Sequence, residues 1–220
     1  MRTPPVSASY AVNLDLIGRP VLVVGGGAVA ARKVSGLLRA GAAVTVVAPK
    51  AVTEIADDPD VRWFQRPYQR GEVASYRLGI TATDDTKVNA LVASDGETAG
   101  IFINSADDPA NCSFTLPAVA RRGDIQLAIS TNGRSPGLSR WLRRRYEREL
   151  SGGYDQLLDL LAETRVEARE AFGTSEVAGW DDALDADLLG LVRSGRIEEA
   201  RSMLREALGL GTDLSAEVAS

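Results

Sequence analysis

Short apolar runs rich in β-branched residues alternate with apolar positions at helical spacing through the first half of the chain. Pro20 to Val24 (PVLVV) is the first such run, and Gly25-Gly26-Gly27 follows at once. Val29, Val34, Leu37 and Leu38 then fall at helical spacing until Gly41 interrupts them. Ala43 to Ala48 is a second apolar run, so the order strand, glycine turn, helix, strand predicts a βαβ unit within a parallel sheet. Val61 to Phe64, Leu78 to Thr83 and Gly100 to Ile103 predict three further strands, with a helix between Asp84 and Thr98 separating the last two.

The rhythm changes past Pro117. Ser113 to Leu116 and Ile125 to Ser130 read as strands joined by Arg121-Arg122-Gly123-Asp124, antiparallel because no helix intervenes. Ser135-Pro136 reads as a helix start, serine as the cap and proline in the first turn, leading into GLSRWLRRRYEREL. From Tyr154 on, Leu157, Leu158 and Leu161, then Leu188, Leu191 and Val192, then Ile197, Ala200, Met203 and Leu204 keep helical spacing. Gly173 to Gly179 and Gly195 punctuate these helices, and Gly209 to Ser220 reads as a frayed end. The expected fold class is α/β: a Rossmann-type doubly wound parallel sheet over residues 1–112, a small α+β segment over 113–150 and a helical domain over 151–220.

Composition narrows the function. The chain of 220 residues carries 25 basic and 30 acidic side chains, a net charge of −5. That balance argues against a nucleic-acid partner held by phosphate neutralisation, so any anion site is local. No apolar run approaches the roughly 18 residues of a membrane span, and no secretory leader is legible, so a cytoplasmic protein without a membrane partner is expected. Cys112 is the single cysteine and there is no histidine. The commonest neutral-pH acid/base and transition-metal ligand is therefore missing, no metal site is expected, and chemistry falls to carboxylates, hydroxyls, backbone groups or a cofactor.

Gly25-Gly26-Gly27-Ala28-Val29-Ala30 fits G-x-G-x-x-A. In that fingerprint the first glycine makes the turn, the second admits pyrophosphate and the small third residue lets the helix approach the strand. A plain tight turn is the other reading, but the flanking strands favour a dinucleotide site. The acidic residue expected at the end of the second strand is missing, because Val46, Val47, Ala48, Pro49 and Lys50 stand there. Ribose contact then falls to the backbone around Pro49 and Lys50, and Lys50 reads either as tolerance of a phosphorylated ribose or as a solvated lysine. Thr81-Ala82-Thr83-Asp84-Asp85 ends the fourth strand at the ligand edge; Thr83 and Asp84 are candidate cofactor contacts, with Asp84 as the N-cap of the next helix the alternative. Asp107 and Asp108 follow the fifth strand at the same edge, where one of two diverging carboxylates faces a ligand, unless Asp-Asp-Pro is simply a turn. Cys112 reads as a packed residue rather than a nucleophile, since no histidine activates it. Arg140, Arg143, Arg144, Arg145 and Arg148 form either a solvated helix face or a recognition surface for a polycarboxylate.

Four stretches together resemble the siroheme synthase N-terminal family, the precorrin-2 dehydrogenases, some of which also insert iron into sirohydrochlorin. They are VLVVGGGAVAARK at 21–33, TATDD at 81–85, FINSADDPANCSFTLPA at 102–118 and STNGRSPGLSRWLRRRYE at 130–147. The resemblance covers residues 9–150 well and the helical tail only in character. It implies an NAD-dependent oxidation of precorrin-2 by a homodimer, with 113–150 the dimerisation segment and the active site in a cleft near the partner subunit. The family's aspartate for dehydrogenation falls on Asp107, and its NAD contacts on Ala28, Val29, Pro49 and Lys50, beside Gly25 and Gly27. Asn104 matches an asparagine beside the site, and Thr131 stands where some relatives carry serine. With Ser135 and Arg140 these are the candidate substrate contacts.

Two other readings stand beside this one. A bifunctional dehydrogenase and ferrochelatase differs only in whether Fe²⁺ enters the same cleft, with Asp107 as base. A nucleotide-sensing module of the potassium-channel type needs only the first half of the chain and leaves NSADDPANCSF and the basic helix unexplained. Uroporphyrinogen methylation, performed by a domain fused to some relatives, is not expected of residues 1–220.

Overall fold

The computed structural model describes residues 9–106 and 108–211. The chain divides into two compact units, Met1–Leu116 and Pro117–Ser220.

The first unit is built on β1 (Pro20–Val24), α1 (Ala28–Arg39), β2 (Ala43–Val47), α2 (Thr53–Ala56), β3 (Val61–Phe64), β4 (Leu78–Thr81), α3 (Thr86–Ala99) and β5 (Phe102–Ser105). The five strands form one parallel sheet in the order β3-β2-β1-β4-β5. Side chains alternate across its central strand, as the pleat requires. Val21 and Val23 join Ala30, Val34 and Leu37 of α1 in one core layer, while Leu22 and Val24 join Val92 of α3 and Ile103 in the other. Both faces are covered, which is why β1 reads as an unbroken apolar run. Each fully buried valine or leucine here contributes about 1.5–3 kcal/mol relative to exposure.

Three strands of this sheet differ from expectation in their bounds: β2 ends at Val47, one residue before Ala48, and β5 runs on to Ser105, two residues past Ile103. β4 stops at Thr81, because Thr83 belongs to the loop that starts α3. β5 begins at Phe102, because Gly100, at φ 68°, ends α3 as its C-cap. The crossover from β3 to β4 is anchored on α3: Asp95 accepts from the Tyr68 hydroxyl at 2.9 Å and from the Gly71 N–H at 2.6 Å.

The second unit contains an antiparallel hairpin of β6 (Ala118–Arg122) and β7 (Ile125–Ile129), then α4 (Pro136–Leu150), α5 (Tyr154–Phe172), α6 (Trp180–Asp185), α7 (Leu188–Arg193) and α8 (Ile197–Ala207). The hairpin turns on Gly123-Asp124 alone, with glycine first at φ 52°, so Arg121 and Arg122 lie in the strand and not in the turn. Ser113 to Leu116 is not a strand. Ser113 exchanges backbone and hydroxyl hydrogen bonds with Ile103, which stitches this segment to β5. The C-terminal helices close around Leu157, Leu188, Ala200 and Leu204. Arg201–Glu163 at 2.9 Å and an Arg205–Glu167 pair link α8 to α5. The expected fraying of Gly209 to Ser220 falls largely outside the described residues.

Candidate functional site

Phe64, Val47, Val24, Thr81 and Ser105 stand side by side across the five strands and form the last rung at the carboxyl edge of the sheet. Every candidate loop of the first unit leaves from this rung. The gap between β1 and β4 is where the strand order reverses, the place where ligands of such sheets bind.

The three glycines after β1 have three different reasons to be glycine. Gly25 sits at φ 124°, and a Cβ there would stand 2.2 Å from the Ala82 carbonyl oxygen, so the turn off β1 presses on the loop after β4. At Gly26 a Cβ would stand 2.0 Å from the Lys50 carbonyl oxygen, and the Val52 N–H donates to the Gly26 oxygen at 2.8 Å. At Gly27 a Cβ would meet nothing within 4 Å. Gly27 is the N-cap of α1 without a capping side chain, and the first turn, Ala28 and Val29 included, carries no acid. Its leading N–H groups are thus available to an anion, and the helix dipole favours one. Ala30 is fully buried against the sheet, as the small third residue of the fingerprint should be. The cradle fits a dinucleotide pyrophosphate.

Beyond β2, Pro49 and Lys50 are exposed, and the Ala48 carbonyl is fixed by the Trp63 indole N–H at 3.0 Å. Beyond β4, Thr83 shapes the loop: its hydroxyl accepts from the Asp85 N–H at 2.8 Å and its carbonyl from the Asn89 side-chain amide at 2.9 Å. The buried Asn89 carbonyl oxygen has no partner. Asp85, not Asp84, caps α3, accepting from the N–H groups of Lys87 and Val88. The Thr83 turn delays the helix start to Thr86, so the capping role expected of Asp84 passes to its neighbour and Asp84 lies exposed outside the cap.

Beyond β5 the chain makes a short excursion whose ends are tied. The Ser105 N–H donates to the Cys112 sulfur at 3.1 Å, and the thiol lies 3.2 Å from the Ser105 carbonyl oxygen. Asn104, 7% exposed, donates its amide to the Phe114 carbonyl at 3.0 Å. The Asp108 carboxylate accepts from the Asn111 side chain at 2.7 Å. Asp107 lies outside the described residues. Cys112 is therefore a hydrogen-bonding tie, more than the packed residue its sequence context predicts.

In the second unit, Thr131 and Ser135 together start α4. The Thr131 hydroxyl accepts from the Ser135 N–H at 3.1 Å and lies 3.2 Å from the Ser139 hydroxyl, while the Ser135 hydroxyl accepts from the Leu138 N–H at 3.3 Å. The arginine run divides. Arg143 pairs with Glu147 and Arg145 lies over the Trp141 ring at 5.7 Å. Arg140, Arg144 and Arg148 are exposed and without an ion pair among the described residues. No group of three or more potential metal ligands occurs among the described residues, and no described helix is long and apolar enough to cross a membrane.

Comparison with known proteins agrees with this arrangement. A family model described as putative NAD(P)-binding matches residues 12–118, and one described as sirohaem biosynthesis protein, central, matches residues 122–149. The siroheme synthase of Methylococcus capsulatus is 39% identical over 201 residues, 89% of this chain and 42% of that protein. That of Photorhabdus laumondii is 34% identical over 213 residues, 94% of this chain and 45% of that protein. A solved structure of SirC, precorrin-2 dehydrogenase, is 29% identical with a TM-score of 0.67, covering 90% of this chain and 98% of that one. The chain belongs to the siroheme synthase N-terminal family. It spans less than half the length of the curated siroheme synthases it matches.

Within this siroheme synthase family member, the putative NAD(P)-binding match covers the sheet with its edge loops, and the central match covers most of the hairpin with α4. Sequence reading missed Gly26, whose fingerprint position accepts any residue, and the buried Thr81–Ser105 pair. Only the spacing of Thr81 and Ser105 from their strand ends signals that the two hydroxyls share a rung.

Proposed function

We propose that this chain oxidises precorrin-2 to sirohydrochlorin as a homodimer, with residues 113–150 as the dimerisation segment. The observation that supports the reading best is the common rung from which the glycine cradle and the Asn104–Cys112 excursion depart. Bound NAD would supply the hydride acceptor. Gly25, Gly27, Ala28 and Val29 hold the pyrophosphate, Pro49 and Lys50 meet the adenosine ribose, and Thr83 with Asp84 borders the nicotinamide end.

Asp107 accepts the proton that leaves with the hydride. The family's aspartate falls by its motif on Asp107, while the neighbouring Asp108 accepts a hydrogen bond from Asn111 within the loop. Asn104, Thr131, Ser135 and Arg140 orient the substrate. Arg140, Arg144 and Arg148, without acidic partners among the described residues, suit a polycarboxylate on an otherwise acidic protein.

Anaerobic incubation of the purified protein with precorrin-2 and NAD, followed by sirohydrochlorin absorbance, tests this. NAD-dependent product that disappears in Asp107→Ala, with NAD affinity kept, is expected. No turnover despite measured NAD binding would overturn the reading. Adding Fe²⁺ to the completed reaction, beside a protein-free control, tests for chelation.

A further inference from the structure

The inner face of α3 carries two polar side chains among its buried residues, which are Asn89, Val92, Asp95 and Gly96. Each holds a loop. Asp95 serves the crossover from β3 to β4 through the Tyr68 hydroxyl and the Gly71 N–H. Asn89, 4% exposed, serves the loop at the carboxyl edge of the sheet, where its amide donates to the Thr83 carbonyl at 2.9 Å. Its own carbonyl oxygen is buried and has no partner. Thr83 fixes the orientation, because a flipped amide would set two carbonyl oxygens against each other.

A buried acceptor left unpaired costs more than a neutral hydrogen bond contributes, so leucine at this position would fill similar space without that penalty. What asparagine adds is the bond to Thr83. That bond falls on the peptide that meets the glycine turn: a Cβ at Gly25 would stand 2.2 Å from the Ala82 carbonyl oxygen and 3.2 Å from the Thr83 nitrogen. The Ala82 N–H also donates to the Val24 carbonyl at 2.8 Å. Ala82 is therefore held from β1 without help from the helix, whereas the Thr83 carbonyl, one residue closer to the nicotinamide end of the proposed site, is held by Asn89.

We propose that Asn89 is a positioning residue for the dinucleotide, acting through the Thr83 carbonyl on its nicotinamide half and leaving the pyrophosphate cradle to β1 and the glycine turn. This rests on the nucleotide reading of the sheet edge and is independent of the substrate oxidised. Calorimetric titration of the whole chain with NAD and with ADP, which lacks the nicotinamide riboside, tests it in wild type, Asn89→Leu, Asn89→Ala and Asp85→Ala. Asn89→Leu should weaken NAD about tenfold, the scale of one hydrogen bond, and leave ADP within about twofold of wild type. Asn89→Ala, which cannot overfill the site, should do the same. Asp85→Ala removes the cap of α3 and should lower the urea midpoint while leaving both affinities unchanged. Equal weakening of NAD and ADP by the Asn89 variants would make this side chain a support of the fold and overturn the proposal, as would a selective loss of NAD in Asp85→Ala as large as theirs. Wild type that binds NAD with no change in either Asn89 variant removes this inference alone; wild type that binds neither ligand removes the nucleotide reading with it.

Discussion

The Thr81 hydroxyl donates to the Ser105 hydroxyl at 2.8 Å, and both side chains are buried, at 0% and 3% exposure. This bond crosses from β4 to β5 on the last rung before the loops that bear Thr83 and Asp107. Thr81→Val keeps the shape of the side chain and deletes the donor, stranding the Ser105 oxygen. The unfolding free energy should fall by about 1–3 kcal/mol, read as a lower urea midpoint at unchanged slope.

Gly26 and Gly27 should separate folding from binding. Gly26→Ala forces its new methyl into the Lys50 carbonyl, so both the melting temperature and nucleotide affinity drop, at a cost of about 1–3 kcal/mol in stability. Gly27→Ala meets no protein atom within 4 Å and should melt as wild type does, while its methyl occupies the path of the pyrophosphate and weakens binding. Equal melting temperatures for the two variants would refute the distinction.

Replacement of Cys112 should act on turnover more than on nucleotide affinity. Alanine leaves the Ser105 N–H without its acceptor and releases the far end of the excursion that contains Asp107, whereas serine keeps a hydroxyl acceptor there. Cys112→Ala should reduce kcat with the KM for NAD little changed, and Cys112→Ser should restore most of the rate. A Cys112→Ala enzyme as fast as wild type would show that the sulfur bonds do not position the loop.

Alkaline pH should weaken the first unit through Tyr68. Burial, first, and its hydrogen bond to Asp95 raise the phenol above its ordinary value near 10.0. A raised folded-state value means stability that is complete below pH 10 and is lost as pH climbs from the unfolded toward the folded value. Ultraviolet titration should show one of the five tyrosines ionising later than the rest. Tyr68→Phe should remove that late step and flatten the alkaline fall in stability.

The parallel sheet was readable because buried strands announce themselves as β-branched runs: PVLVV became β1 at the expected residues, and the run from Ala43 to Ala48 became β2 with its end one residue earlier, at Val47. Boundaries were less readable where glycine or side chains decide them. Gly100 resembles the start of a strand but serves α3 as its left-handed cap. Ser113 to Leu116 has strand composition, yet Ser113 and Asn104 fix it to β5 through side-chain bonds that no periodicity records. Of the two adjacent aspartates the sequence pointed to Asp84 as the cap of α3, and the Thr83 turn selects Asp85. The arginine run was visible as charge, but its division into paired and unpaired members depends on Glu147 and Trp141 meeting it in space.

Strand length at the shared rung sets where the loops of the first unit begin, whatever sequence each loop carries. Removing one residue from β5 would rotate Ser105 to the opposite face and draw the excursion back by about 3.3 Å, the rise of one strand residue. Loops after Val24, Val47, Thr81 and Ser105 can therefore vary in sequence and still start in line, whereas a strand that gains or loses a residue cannot. The sheet works as a ruler whose last graduation decides which groups face one another, so insertions should be tolerated between elements and selected against within them.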